Sequence, residues 1–297
     1  MTFNLTNSSM HKFLSSKHDI KGVMVISHGM SEHIGRYKWL ISKLNNDGFH
    51  VIACDHRGHG NNIKNGKIAG YFANKNGWSK VTNDLRDVIN FSKSRYPELH
   101  CYLLAHSMGS WIALSLFDQK VDIKAMVLTG SSKIPNLLIY FQEIIINIEI
   151  LLNGNEGVSK FIDSLTIRSF NNKFKPIKSP NDWISSDESN VKNYTSDPLC
   201  GFMVTNKLWL DLCHGLKRIF NIKFYSKLNK NLPVFIISGE CDAASSNGKL
   251  ATKLFQFLSN HFNNIKIELI PNTRHEIFSE HNKDDSYQKF ISFIYQA

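Results

Sequence analysis

Residues 101–117 read CYLLAHSMGSWIALSLF: an apolar run crosses one polar turn, Ala105-His106-Ser107-Met108-Gly109, and enters a second apolar run without a loop between them. The first run has strand length and the second has helical spacing. A strand that turns directly into a helix is the setting in which a serine is held exposed at the top of a sharp turn. Such a turn strains the serine backbone, so the positions two before and two after it must be small. Gly109 meets that demand, and Ala105 adds one methyl group where glycine is more usual.

The same strand-to-helix alternation extends in both directions. Residues 21–26 (KGVMVI), 49–53, 125–128, 234–238 and 265–270 are short apolar or β-branched runs, and each reads as a strand. Helical spacing follows at residues 37–44, 81–94, 250–262 and 287–295, with Asn45-Asn46-Asp47-Gly48 ending the first of these. Buried strands alternating with amphipathic helices predict an α/β fold, a mostly parallel central sheet with helices on both faces. The alternation breaks between residues 131 and 206. The expected organisation is a core in two parts, 1–130 and 207–297, with a helical cap, 131–206, inserted between them.

The first part of the insertion, residues 137–152 (LLIYFQEIIINIEILL), sets Leu137, Leu138, Tyr140, Phe141, Ile144, Ile145, Ile148, Leu151 and Leu152 on one arc of a helix. The opposite side carries Gln142, Glu143, Asn147 and Glu149, diluted by Ile139, Ile146 and Ile150. A helix apolar nearly all round is ordinarily buried on both sides, which is the first expectation. The alternative is a lid that meets acyl chains or a membrane surface, with Ile144 and Ile148 at the entrance.

Composition narrows the classes. A chain of 297 residues with 42% hydrophobic and 20% charged side chains is neither disordered nor fibrous. Five widely spaced cysteines without a CxxC pair indicate no disulfide framework and no zinc ribbon, and they favour a reducing compartment. The first residues lack an apolar signal core, and no eighteen-residue uninterrupted apolar stretch occurs, so a soluble cytoplasmic protein is expected. Thirty-five basic against 25 acidic side chains leave a net charge of +10, but the lysines are scattered and no basic run with interleaved aromatics is present. No nucleic-acid partner is therefore expected, whereas weak attraction to anionic lipid is.

Ser107 needs an adjacent base oriented by a third group. Residues 234–238 end in Gly239-Glu240-Cys241-Asp242, and residues 265–270 are followed by Pro271-Asn272-Thr273-Arg274-His275-Glu276. Asp242 and His275 thus fall after strand carboxyl ends, where catalytic groups of open α/β sheets gather, and in the order serine, acid, histidine. The two N–H donors that a tetrahedral intermediate requires are expected from Met108, directly after the serine, and from Met30 in the loop Ser27-His28-Gly29-Met30-Ser31-Glu32-His33. HExxH and glycine-rich phosphate loops are missing from the sequence, and the histidines near Glu32 and Asp55 are absorbed by the motifs below, so neither a metal nor a cofactor is expected.

Taken together, HGMSEHIGRY (28–37), DHRGHG (55–60), the Ser107 turn, GECD (239–242) and RHE (274–276) resemble the monoacylglycerol lipase and lysophospholipase branch of the alpha/beta-hydrolase superfamily, a branch also labelled serine-aminopeptidase-like. The resemblance extends into the insertion through DWISSDE (182–188) and YTSDPLCGF (194–202). It implies Ser107 as nucleophile, His275 as base, Asp242 as its orienter, and the Met30 and Met108 amides as oxyanion hole. It implies a structural role for Asp55, Arg57 and His59. The implied activity is hydrolysis of carboxylic esters of acylated lipids, monoacylglycerol or lysophospholipid, through an acyl-enzyme, with transient membrane contact through the cap. The rivals are a peptidase or amidase that uses Asp182, Asp187 and Glu188 to capture an amino terminus, and a non-catalytic ligand-binding protein on the same fold.

Overall fold

The computed structural model describes residues 9–119, 121–225 and 228–297. The chain order is β1 (Met10–Phe13), β2 (Gly22–Ser27), α1 (Lys38–Asn46), β3 (Phe49–Cys54), α2 (Asn61–Lys64), α3 (Gly77–Arg95), β4 (Cys101–His106), α4 (Met108–Leu114) and β5 (Ala125–Thr129). Then come α5 (Asn136–Asn153), α6 (Lys160–Leu165), α7 (Ile167–Asn171), α8 (Glu188–Ser196), α9 (Asn206–Ile219), β6 (Val234–Gly239), α10 (Lys249–Leu258), β7 (Ile265–Ile270) and α11 (Lys283–Gln296). Among the described residues the strands form one sheet in the order β1-β3-β2-β4-β5-β6-β7, parallel throughout except for β1, which runs antiparallel to β3.

The period of two along the strands divides the core. Val23, Val25, Ile52 and Leu103 face α3, α4, α9 and α10 in one apolar layer. Met24, Ile26, Val51 and Leu104 face α1 and α11 in the other. Both faces are covered, so β2, β3, β4 and β6 are buried along their whole length, as their unbroken apolar sequences require. Each large side chain withdrawn from water contributes about 1.5–3 kcal/mol.

β1, the single-turn α2 and α9 lie outside the sequence expectations. β1 is a four-residue edge strand, too short for alternation to be read. α9 carries its signal in Leu208, Leu212 and Leu216 at i, i+4 and i+8, opened by Thr205, whose Oγ1 accepts the Leu208 N–H at 3.2 Å.

The expectation of a doubly buried α5 is overturned. Only Ile139 and Ile146 are buried, while Leu137, Leu138, Tyr140, Phe141, Ile144, Ile148, Leu151 and Leu152 are exposed. The helix lies against α9 by its more polar side, where Lys217 Nζ donates to both Glu143 oxygens at 2.6 and 2.7 Å. Its most apolar arc therefore faces outward. By length and composition alone α5 is apolar enough to cross a membrane.

Candidate active site

The turn after β4 puts Ser107 at φ +50° and ψ −123°, a left-handed conformation that a serine adopts only under constraint. Part of the constraint is close packing. A Cβ on Gly109 would lie 2.3 Å from the Ser27 carbonyl oxygen and 2.4 Å from that of His28, so only glycine lets α4 approach β2 this closely. The Ser107 N–H donates to the Thr129 carbonyl at 2.9 Å, and Ser110 Oγ donates to the Ser107 carbonyl at 2.5 Å. Ala105 is fully buried, its methyl group taken up by the core.

Asp242 and His275 come together from the loops after β6 and β7. His275 Nδ1–H donates to Asp242 Oδ1 at 3.0 Å, and the same oxygen accepts the Ala244 N–H at 2.8 Å. With Nδ1 carrying the proton, Nε2 is left as an acceptor. Burial disfavours the charged imidazole, but Asp242, through charge and hydrogen bond, and then Glu276 and Glu32 outweigh it, so the His275 pKa stands above the usual 6.5. The ring lies between His106 and Trp183, at centroid distances of 4.7 and 4.9 Å. Trp183 comes from the segment between β5 and β6.

The loop after β2 approaches the same place. A Cβ on Gly29 would sit 3.2 Å from Ser107 Cβ, so the bare glycine backbone is what lets the loop close on the serine. The His56 backbone N–H donates to His28 Nε2 at 2.9 Å, which places the His28 proton on Nδ1. His28 Nδ1–H then donates to the Gly29 carbonyl at 2.8 Å. In a trans peptide the C=O and N–H point opposite ways, so holding the Gly29 oxygen aims the Met30 N–H away from His28. Burial, with His56 and His59 nearby, keeps His28 neutral by lowering its pKa well below 6.5. The Gly29 N–H in turn donates to Glu32 Oε1 at 2.5 Å.

Ser107, Met30, Met108 and His275 line one cavity of about 260 Å³, together with Trp111, Ile134, Leu138, Leu165, Trp183, Trp209, Leu212 and Leu216. From α5, Leu138 and Gln142 reach this cavity, whereas Ile144 and Ile148 do not line it. The entrance residues expected from the sequence are corrected accordingly. A second cavity of about 400 Å³ is polar, is lined by Arg36, Asn190 and Asp197 among others, and shares Glu32, His106 and Glu276 with the first.

Between the two cavities lies a network that sequence reasoning missed. Arg36 Nη2 donates to Asn190 Oδ1 at 2.5 Å and to Glu276 Oε2 at 2.8 Å, and Asn190 Nδ2 donates to Glu276 Oε2 at 2.9 Å. Glu32 also accepts the Tyr37 hydroxyl at 2.9 Å, and burial beside Glu276 pushes its pKa up to about 7. Arg36 and Glu276 are 240 residues apart, beyond the reach of local patterns.

Other candidates have local partners. Asp55 Oδ1 accepts the Ile34 N–H and Oδ2 the Asn61 N–H, at 3.0 and 2.9 Å, and Arg57 pairs with Asp84, bonds that brace the turn. Asp182 accepts the Lys178 and Ser179 N–H groups, Asp187 caps α8, and Glu188 pairs with Lys178. His33, Asp197 and Cys200 form the one His, Cys and acid grouping of metal-binding dimensions among the described residues. The Gly35 N–H donates to His33 Nδ1 at 3.1 Å, so Nε2 carries the proton donated to Asp197 rather than a lone pair for a metal.

The family profile described as "Serine aminopeptidase, S33" matches residues 18–282. The chain is 28% identical over 186 residues to the monoacylglycerol lipase of Mycolicibacterium smegmatis, covering 61% of this chain and 57% of that protein. It is 25% identical over 232 residues to the monoglyceride lipase of Rattus norvegicus, covering 75% of this chain and 65% of that protein. The match thus spans less than two thirds of either relative. A thermostable carboxyl esterase from Bacillus coagulans, solved in complex with glycerol, superposes with a TM-score of 0.87 at 25% identity, covering 97% of this chain and 93% of that one.

Proposed function

The chain belongs to the serine aminopeptidase S33 family, and on that premise we propose that it is a carboxylic ester hydrolase acting on monoacylglycerol or lysophospholipid through an acyl-enzyme on Ser107. One observation carries this reading: a strained serine shares a mostly apolar cavity with a carboxylate-held histidine and with Met30 and Met108. The apolar walls suit a single acyl chain, and the polar cavity beside them suits a small polar alcohol. The names of the lipase relatives support the same substrate class. The acids that a peptidase reading would use are engaged in caps and pairs, which favours the ester.

In the mechanism, Ser107 Oγ attacks the ester carbonyl while its proton passes to His275 Nε2. The Met30 and Met108 N–H groups receive the developing oxyanion, and Asp242 stabilises the imidazolium. Collapse breaks the C–O bond to the alcohol, which leaves with the proton from His275. Water, deprotonated by the same nitrogen, then attacks the acyl-enzyme and releases the fatty acid, returning Ser107 to its starting state. His28, Glu32 and Arg36 hold the surrounding loops.

In this reading residues 131–206 are the cap, and the outward face of α5 rests on a lipid surface, with the exposed Lys160, Lys173 and Lys175 nearby in the chain to attract anionic head groups. The test is intact mass after a fluorophosphonate, wild type against Ser107→Ala. One adduct on the wild type and none on the variant is expected, followed by hydrolysis of monoacylglycerol and lysophospholipid panels. An unlabelled, folded wild type sinks the proposal.

A further inference from the structure

Ser31 follows Met30 in the loop that approaches Ser107, and at φ +53° it occupies the left-handed region that a serine rarely adopts. Three hydrogen bonds hold it there, and all three come from residues 194–202. The Tyr194 hydroxyl donates to the Ser31 carbonyl at 3.0 Å, the Gly201 N–H donates to the same carbonyl at 2.9 Å, and Ser31 Oγ donates to the Phe202 carbonyl at 2.7 Å. Tyr194 is buried, and burial raises its phenol well above the usual 10, so it remains a donor at any working pH. Its ring faces the Arg36 guanidinium at 5.2 Å, which fixes where the hydroxyl points.

The Met30 amide therefore lies between two anchorages. On one side His28 and Glu32 tie down Gly29 from within the core. On the other side Ser31 is tied entirely to the segment that covers the cavity. We propose that residues 194–202 are a clamp on the oxyanion loop, with Tyr194 as a positioning residue that holds the Met30 N–H ready for the tetrahedral intermediate. The clamp rests on the acyl-enzyme reading above. It gives the cap a task beyond enclosing substrate, because a loop anchored only on its core side would have to be ordered anew in each transition state.

Tyr194→Phe deletes one hydroxyl and leaves the ring in place. On a soluble short-chain ester such as p-nitrophenyl butyrate, kcat should fall about tenfold with KM within about twofold, a loss of transition-state binding alone. Fluorophosphonate labelling should slow by the same factor, and the acid limb of the pH profile should stay put, since His275 and Asp242 are untouched. Ser31→Gly is the second variant: it removes the Oγ bond while suiting the left-handed backbone, so kcat should drop without a loss of Tm. It decides the matter alone if the Tyr194 variant does not fold. Wild-type kcat and labelling in both variants would overturn the clamp while leaving the esterase reading intact. A fall in Tm with raised KM and unchanged labelling rate would overturn it too, by showing mere support of the fold. A wild type inert to both ester and fluorophosphonate overturns the clamp and the proposed function together.

Discussion

Replacing Leu151 and Leu152 with Gln tests whether the outward arc of α5 meets lipid. These leucines are 85% and 74% exposed, so they contribute little to folding, and Gln has nearly the helix propensity of Leu. Fully withdrawing a leucine side chain from water is worth ~2 kcal/mol. Scaled by their exposure, the pair holds about 3 kcal/mol of transfer free energy, equivalent to roughly 100-fold in a partition coefficient. Co-sedimentation with vesicles should show the double variant binding about two orders of magnitude more weakly than the wild type, with anionic lipid strengthening both. Neither residue lines the cavity, so hydrolysis of a short soluble ester should be unchanged. Equal vesicle binding by variant and wild type would refute the reasoning and leave the arc to another partner.

Asp242→Asn should keep the fold and lower kcat by about 10⁴, because the imidazole loses its tautomer and the anion that stabilises its charge; steady-state kinetics with a Tm check reads this, and near-normal turnover would remove Asp242 from the scheme. His28→Asn puts an amide where Nδ1 stood and keeps an N–H for the Gly29 carbonyl, whereas His28→Gln puts its amide where Nε2 stood and keeps an acceptor for the His56 N–H instead. The Asn variant should therefore lose more stability, with the His56 N–H left unpaired, yet retain about tenfold more kcat than the Gln variant, and equal kcat would argue against the hydrogen bond that aims Met30. His275 must be neutral to act as base, so with its pKa raised the acid limb of kcat/KM should lie above 6.5 in the wild type. In Glu276→Gln the larger of the two glutamate charges that raise it is gone, while Glu32, pushed up to about 7 partly by Glu276, ionises more readily and offsets only part of that loss. The limb should move to lower pH, and a profile that stays fixed would show that Glu276 does not act on His275.

Much of the fold and the core of the candidate site was legible in the sequence for a local reason. A strand buried on both faces is a short unbroken apolar run, and the residue at its carboxyl end is known once the strand is. That logic located Ser107, Asp242 and His275 and their order, since each sits within a few residues of a strand end. The Met30 loop and the small residue at Gly109 followed from the same turns. The His28 tautomer did not, because it depends on a backbone N–H 28 residues away.

The amino-acid sequence by itself determined which segments are the six parallel strands, which turn can strain a serine, and which side of α5 is the more apolar. Tertiary structure alone decided which side of that helix finds a partner. Periodicity distinguishes the faces of a helix but does not say what stands opposite each, and here Lys217 on α9 meets Glu143 and turns the apolar arc outward. It likewise brought Arg36, Asn190 and Glu276 into one network and set Trp183 over His275 and Tyr194 on Ser31. Those contacts join residues up to 240 positions apart, and only the packing of the loops at the strand ends against one another and against the segment between β5 and β6 creates them.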